Sequence, residues 1–277
     1  MVKTLFSTAD GSPSNIRIST NAETNKVQAE FTIDHALAGI PTQLTLRFGD
    51  VDLPIWGRGV FADDKRFYAI QNASNPSTAS DPITTTELAL WTNGTARSSA
   101  PRLSDADLCG CEYLTWGFWA ANLEYADGRV DQISLAPWVA GEIAGLANIQ
   151  GMTGSATYTG HVIGTVVANG IQHTALGNLS YSMNFDNPAA SSGAIGNYDG
   201  GNYALSGMAL SAAGAGHKFS GTLNGTDVTA AGRTGTFTGS FMSGGGDNAA
   251  EMGGQMLITG TNYQSAGIFA ARKTSAP

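Results

Sequence analysis

The chain has 277 residues, 36 of them glycine, with 13% charged residues and a formal net charge of −8. That acidic balance, without a Lys/Arg stripe to release counterions from a phosphate backbone, excludes a nucleic-acid partner. No run approaches the roughly 18 consecutive apolar residues of a spanning helix, so no transmembrane segment is expected, and MVKTLFSTADG lacks the apolar core of a signal peptide.

The length suits one large or two ordinary domains. Two are expected, 1–144 and 145–277, because the first part holds all five tryptophans and both cysteines while the rest is richer in glycine and poorer in charge. In the first part, strands are predicted at 15–20, 26–34, 43–48, 66–71, 84–91, 112–125 and 129–135. Asn93-Gly94 and Asp127-Gly128 mark two-residue hairpin turns, since Asn, Asp and Gly accept positive φ there. Residues 72–82 read as a polar loop, and 137–144 as a helical turn with Pro137 at its first position.

In the second part, eight strands are predicted at 155–168, 172–186, 193–198, 203–210, 217–225, 233–242, 252–260 and 263–272. Their period is 2: Arg233, Gly235, Phe237, Gly239 and Phe241 share one face, while Thr234, Thr236, Thr238, Ser240 and Met242 share the other. Ala156, Tyr158, Gly160, Val162, Gly164 and Val166 do the same on the first strand. Alternation of aromatic with glycine fills the inside of a small closed barrel, and short connections imply antiparallel neighbours whose closure removes both edges. The predicted fold is therefore all-β, ending in an eight-stranded antiparallel up-and-down β-barrel. A membrane barrel would turn its apolar face outward and carry aromatic girdles at the strand ends; here the aromatics sit mid-strand among glycines.

The pieces Tyr158-Thr-Gly160, NLSYSMNFDN, HKFSGTLNG, GTFTGSFMSGGGDNAAEMGG and SAGIFAARK, in this order over 145–277, resemble the barrel domain of transferrin-binding-protein-B-like bacterial surface proteins. The matching features are a Phe-x-Gly strand, a Gly-x-Phe-x-Gly-x-Phe strand, Glu251 before Gly253-Gly254, and the closing Gly267-Ile-Phe269. The resemblance implies a β-rich handle-like domain over 1–144 ahead of the barrel. It also implies a non-enzymatic binding protein, surface-exposed or secreted, whose partner is a host iron- or haem-carrying protein or another solute. The alternative is a structural or adhesive module of a larger surface protein with no small ligand. An extracellular or outer-membrane location is implied, with any leader or anchor expected upstream of Val2, since no lipid-anchor cysteine stands near the start.

No cofactor is expected: neither HExxH nor GxSxG occurs, and the four histidines are read as surface or hydrogen-bonded structural groups. His161 falls on the outward face of its strand. His173 and His217 start strands whose turns open at opposite ends, about 20 Å or more apart, which disfavours a shared metal site. Asp34-His35 is a weak hydrolase hint, and Asp63-Asp64 and Asp105 with Asp107 fall short of a calcium loop. Cys109-Gly-Cys111 admits a soft metal, two free thiols or a small disulfide, the last favoured in an exported protein. Asn-x-Ser/Thr matches at Asn72, Asn93, Asn178 and Asn224 are expected by chance in so Ser/Thr-rich a chain. For ligand contact, the loop 50–66 is the best candidate. Trp56, Arg58 and Phe61 lie there among Pro, Gly and charges without strand parity, the composition of an interface hot spot.

Overall fold

A computed structural model describes residues 109, 111–125, 130–141, 143–213 and 216–275, together with strand segments between 3 and 92. It divides into two compact units, Met1–Ser99 with Gly117–Trp138, and Ala100–Trp116 with Val139–Pro277.

The described strands ahead of the barrel are β1 (Lys3–Thr8), β2 (Asn15–Ser19), β3 (Thr32–Asp34), β4 (Gln43–Phe48), β5 (Val51–Trp56), β6 (Phe67–Ile70), β7 (Ile83–Thr92), β8 (Leu114–Tyr125) and β9 (Val130–Gly141). They form a six-stranded sheet in the order β2-β1-β9-β8-β7-β6 and a three-stranded sheet in the order β3-β4-β5. Two expectations are corrected here. The loop expected from residue 50 begins instead as β5, an edge strand in which Pro54 lies opposite Thr45; an edge tolerates a residue that cannot donate a ladder bond. The helical turn expected over 137–144 is instead the continuation of β9 to Gly141. The register Leu5↔Ile133 carries β1 to its end before residue 137 is reached, so Pro137 leaves no ladder bond to β1 unmade. The helix comes later, as α1 (Leu146–Gln150), which buries Ile149.

The second unit contains the predicted closed barrel: β10 (Ser155–Ala168), β11 (Ile171–Asn184), β12 (Ser192–Tyr198), β13 (Gly201–Ala213), β14 (Gly216–Gly225), β15 (Thr234–Gly244), β16 (Asp247–Gly260) and β17 (Tyr263–Ser275). Each pairs antiparallel with the next, and β17 returns to β10 with Gly164 opposite Gly267. The two-residue turns Asn169-Gly170 and Asp199-Gly200 hold positive φ at both positions, as a hairpin twisted to match its strands requires. On β13 the buried set runs Tyr203, Leu205 and then Met208, a change of parity at a bulge where Gly207 has φ 68°.

Aromatic residues fill the interior. Phe219, Phe237, Phe241 and Phe269 contact one another with ring centroids 5.1–6.3 Å apart, joined by Tyr158 and Tyr181. Met183, Met208, Met252 and Met256 pack around them. Space for the rings comes from glycines on neighbouring strands, with Gly239 paired to Phe219 and Gly221 to Phe237. A methyl at Gly239 would sit 2.7 Å from Phe269 and 2.8 Å from Phe219, and one at Gly221 would collide with Phe237. Gly239→Val is therefore expected to destabilise the protein by about 3 kcal/mol in urea unfolding through overpacking, while Thr236→Val on the exposed face stays within about 0.5 kcal/mol.

Candidate functional site

The two outer faces of the barrel differ. On β11 the alternation is clean, with Ala175, Leu179, Tyr181 and Met183 buried and Asn178, Ser180 and Ser182 exposed to water. On β10 and β17 the outward residues His161, Ile163, Thr165, Ala266, Ile268 and Ala270 are buried as well. They stand apart from the interior cluster, so this part of the wall is covered from outside.

Part of the cover is the chain around the cysteines. Cys109 and Cys111 are joined as a disulfide with Cα atoms 5.2 Å apart. The backbone N–H of Cys109 donates to Nδ1 of His161 at 2.8 Å, and the Trp116 ring lies against the same imidazole with centroids 4.6 Å apart. Glu251, nearly fully buried, accepts the N–H of Glu112 at 2.6 Å on one oxygen and that of Tyr113 at 3.1 Å on the other, and it also accepts the N–H of Leu114. Burial pushes its carboxyl above the usual carboxylate range, and the three amide donors oppose that rise. Glycines shape the seat: a methyl at Gly253 would occupy the place of the Leu114 side chain, and one at Gly244 that of the Tyr113 ring. Sequence reading placed His161 outward but did not foresee its burial or the use of Glu251. The available signal was apolar residues such as Ile163 and Ile268 at outward positions of neighbouring strands.

A second polar set gathers at the end of the barrel where β10 turns into β11 and β12 into β13. Asp199 pairs with His173 at 2.7 Å and lies 3.9 Å from the Arg233 guanidinium. Arg233 donates to the Tyr203 hydroxyl at 3.2 Å and rests 3.7 Å over the Tyr263 ring. Below it, the Tyr198 and Ser265 hydroxyls are bonded at 2.6 Å. Burial raises the phenols of Tyr198 and Tyr263, which keeps them neutral hydrogen-bonding groups.

His217 belongs to the opposite end. Its Nδ1 bonds the Ala144 carbonyl at 2.9 Å and must carry the proton; its Nε2 accepts the Phe241 N–H at 3.0 Å. His173 and His217 are thus built into separate polar sets. Among the described residues no group of three His, Cys, Asp or Glu side chains is placed to hold a metal ion.

Of the residues expected to contact a ligand, Trp56 ends β5 opposite Gln43, whereas Arg58 and Phe61 lie outside the described residues. His35, Asp63, Asp64, Asp105 and Asp107 lie outside them too. Among the described residues no helix is long and apolar enough to cross a membrane.

No protein-family model matches the chain, and no curated protein does. Solved structures of transferrin-binding protein B align with it at low identity. That of isotype 1 from serogroup B Neisseria meningitidis shares 15% identity with a TM-score of 0.45, covering 86% of this chain and 42% of the other. The Tyr-167-Ala, Trp-176-Ala double mutant from Haemophilus parasuis Hp5 shares 13% identity with a TM-score of 0.48, covering 100% of this chain and 45% of the other. This chain therefore spans less than half the length of either structure.

The burial of His217 and of Glu251 sets a pH dependence with opposed signs. Burial, partly offset by the Ala144 bond, lowers His217 from its ordinary 6.5, so its contribution is full above that pH and is lost as the pH falls below it toward the native value. Glu251, raised above 4.5, acts the other way: the part of its contribution linked to protonation is full below that value and is lost as the pH rises through the native one, while its amide bonds remain. The melting midpoint of His217→Gln is expected to vary less steeply than wild type between about pH 7 and pH 5. Glu251→Ala, which strands three amide donors, is expected to lower stability by about 3 kcal/mol at neutral pH in urea unfolding.

Proposed function

We propose that this chain is a non-enzymatic binding module, exposed at a bacterial surface or secreted, that takes its ligand on its outer surface and loops. The observation carrying this reading is the filled interior: Tyr158, Tyr181, Phe219, Phe237 and Phe241 are all buried and touch one another, so the barrel serves as scaffold rather than container. An oxidising compartment is supported by the Cys109–Cys111 disulfide, since such bonds persist outside the cytosol. The resemblance of the strand motifs suggests the ligand class, a host iron- or haem-carrying protein, with residues 1–144 as the handle-like domain. Within that domain Trp56, Arg58 and Phe61 are the proposed contact residues, aromatic and Arg anchors of the kind that dominate interfaces.

Pull-down from host serum is expected to recover a bound protein with the wild-type chain and to lose it, by at least about tenfold in amount, with Trp56→Ala. An unchanged set of bound proteins with Trp56→Ala would remove residues 50–66 from the site. If the wild-type chain captures nothing, the structural or adhesive reading replaces this one. Titration with haem tests direct haem carriage, and an unshifted Soret band would exclude it.

A further inference from the structure

Cys109, residues 111–113 and the first residues of β8, Leu114 to Trp116, form a strap on the barrel's outer wall with three seats. Cys109 donates its N–H to His161, which also carries the Trp116 ring; Glu251 holds the N–H groups of Glu112 and Tyr113; and Leu114 fills the space over Gly253. The disulfide lies between the first seat and the second. It holds the Cα atoms of Cys109 and Cys111 5.2 Å apart, where an extended chain would separate them by about 7 Å. The bridge thereby fixes the bend that presents the Cys109 N–H to β10 and, one residue past Cys111, the Glu112 N–H to β16. The two sulfurs also differ in access, Cys109 being buried and Cys111 partly exposed.

We propose that the Cys109–Cys111 disulfide is an exchangeable latch, and that a dithiol reductant releases the strap and uncovers the wall around His161. A thiolate of the reductant attacks the more accessible Sγ of Cys111. The S–S bond breaks, and Cys109 leaves as a thiolate that takes up a proton. The second thiol of the reductant gives up its proton and attacks the reductant sulfur of the mixed disulfide, closing a cyclic disulfide and releasing the Cys111 thiolate, which is protonated in turn. Two electrons pass from the dithiol to the cysteines. With the bend relaxed, ordering the strap is no longer shared with a covalent ring, and the amides seated on His161 and Glu251 open to water. The wall beneath includes Gly253 and Ala270, an apolar surface flanked by one imidazole and one carboxylate. This latch is independent of which ligand the chain binds.

Hydrogen–deuterium exchange on the full chain, before and after treatment with dithiothreitol, tests the proposal, with iodoacetamide labelling followed by mass to count freed thiols. Two labelled cysteines are expected, together with exchange at the Glu112, Tyr113 and Leu114 amides faster by about tenfold, the order of effect carried by closing so short a loop. Strands β11 to β13 are expected to keep their protection. The double variant Cys109→Ser, Cys111→Ser is expected to show the fast rate with or without reductant. A disulfide that resists the reductant while the barrel stays folded, an unchanged exchange rate after two thiols are labelled, or slow exchange in the double variant would each overturn the latch. Loss of protection throughout the barrel would overturn it as well, because the bridge would then be a general stabiliser.

Discussion

The structure of the second unit depends on one packing constraint: the inside of an eight-stranded closed sheet has room for large rings only where a neighbouring strand carries no side chain beneath them. Phe219 and Phe269 pass over Gly239, Phe237 over Gly221 and Tyr181 over Gly193. Each glycine gives up strand propensity, and the ring above it recovers that loss through buried apolar area and aromatic contact. The arrangement needs closure, because an open sheet would leave the same rings partly wet. Closure through the β10–β17 pairing is thus both a consequence of the glycine pattern and the condition that makes it stable.

The outer surface follows a different logic. Around β11 it meets water with Asn178, Ser180 and Ser182, and this polar face differs from the apolar belt by which a membrane barrel meets lipid. On β16, β17 and β10 it is sheathed, and the sheath needs polar groups because it brings backbone amides to a dry surface. His161 and Glu251 supply the acceptors. A carboxylate taking amide donors on both oxygens is a costly group to bury and a costly one to remove, so it holds the strap in one register. The disulfide adds a second restraint at the root of the same segment.

Most of the barrel was legible because side-chain parity is a local property. The prediction of 155–168 coincides with β10, and the other seven strands agree within a few residues at each end, with β16 starting five residues earlier than expected. Errors arose where a residue's local preference was overruled by its position in a sheet. Residues 50–66 lacked strand parity among Pro, Gly and charges, yet 51–56 pair with β4 as an edge strand, and Pro137 suggested a helix start until β9 proved to outrun β1. The candidate site was less legible. Trp56, Arg58 and Phe61 were singled out by composition, which reports a residue's chemistry without placing it. Cys109 and Cys111 were found because their spacing limits what the pair can form.

The amino-acid sequence by itself determined the strand count of the barrel, the alternation of faces along its regular strands, the positions of its glycines and the lack of an apolar run long enough for a spanning helix, since each rests on spacing within a short run of chain. Only the tertiary structure decided which outward residues are dry, what Glu251 holds and where the disulfide sits. Those outcomes rest on contacts between residues 52 to 139 positions apart, and no periodicity within a single strand encodes them.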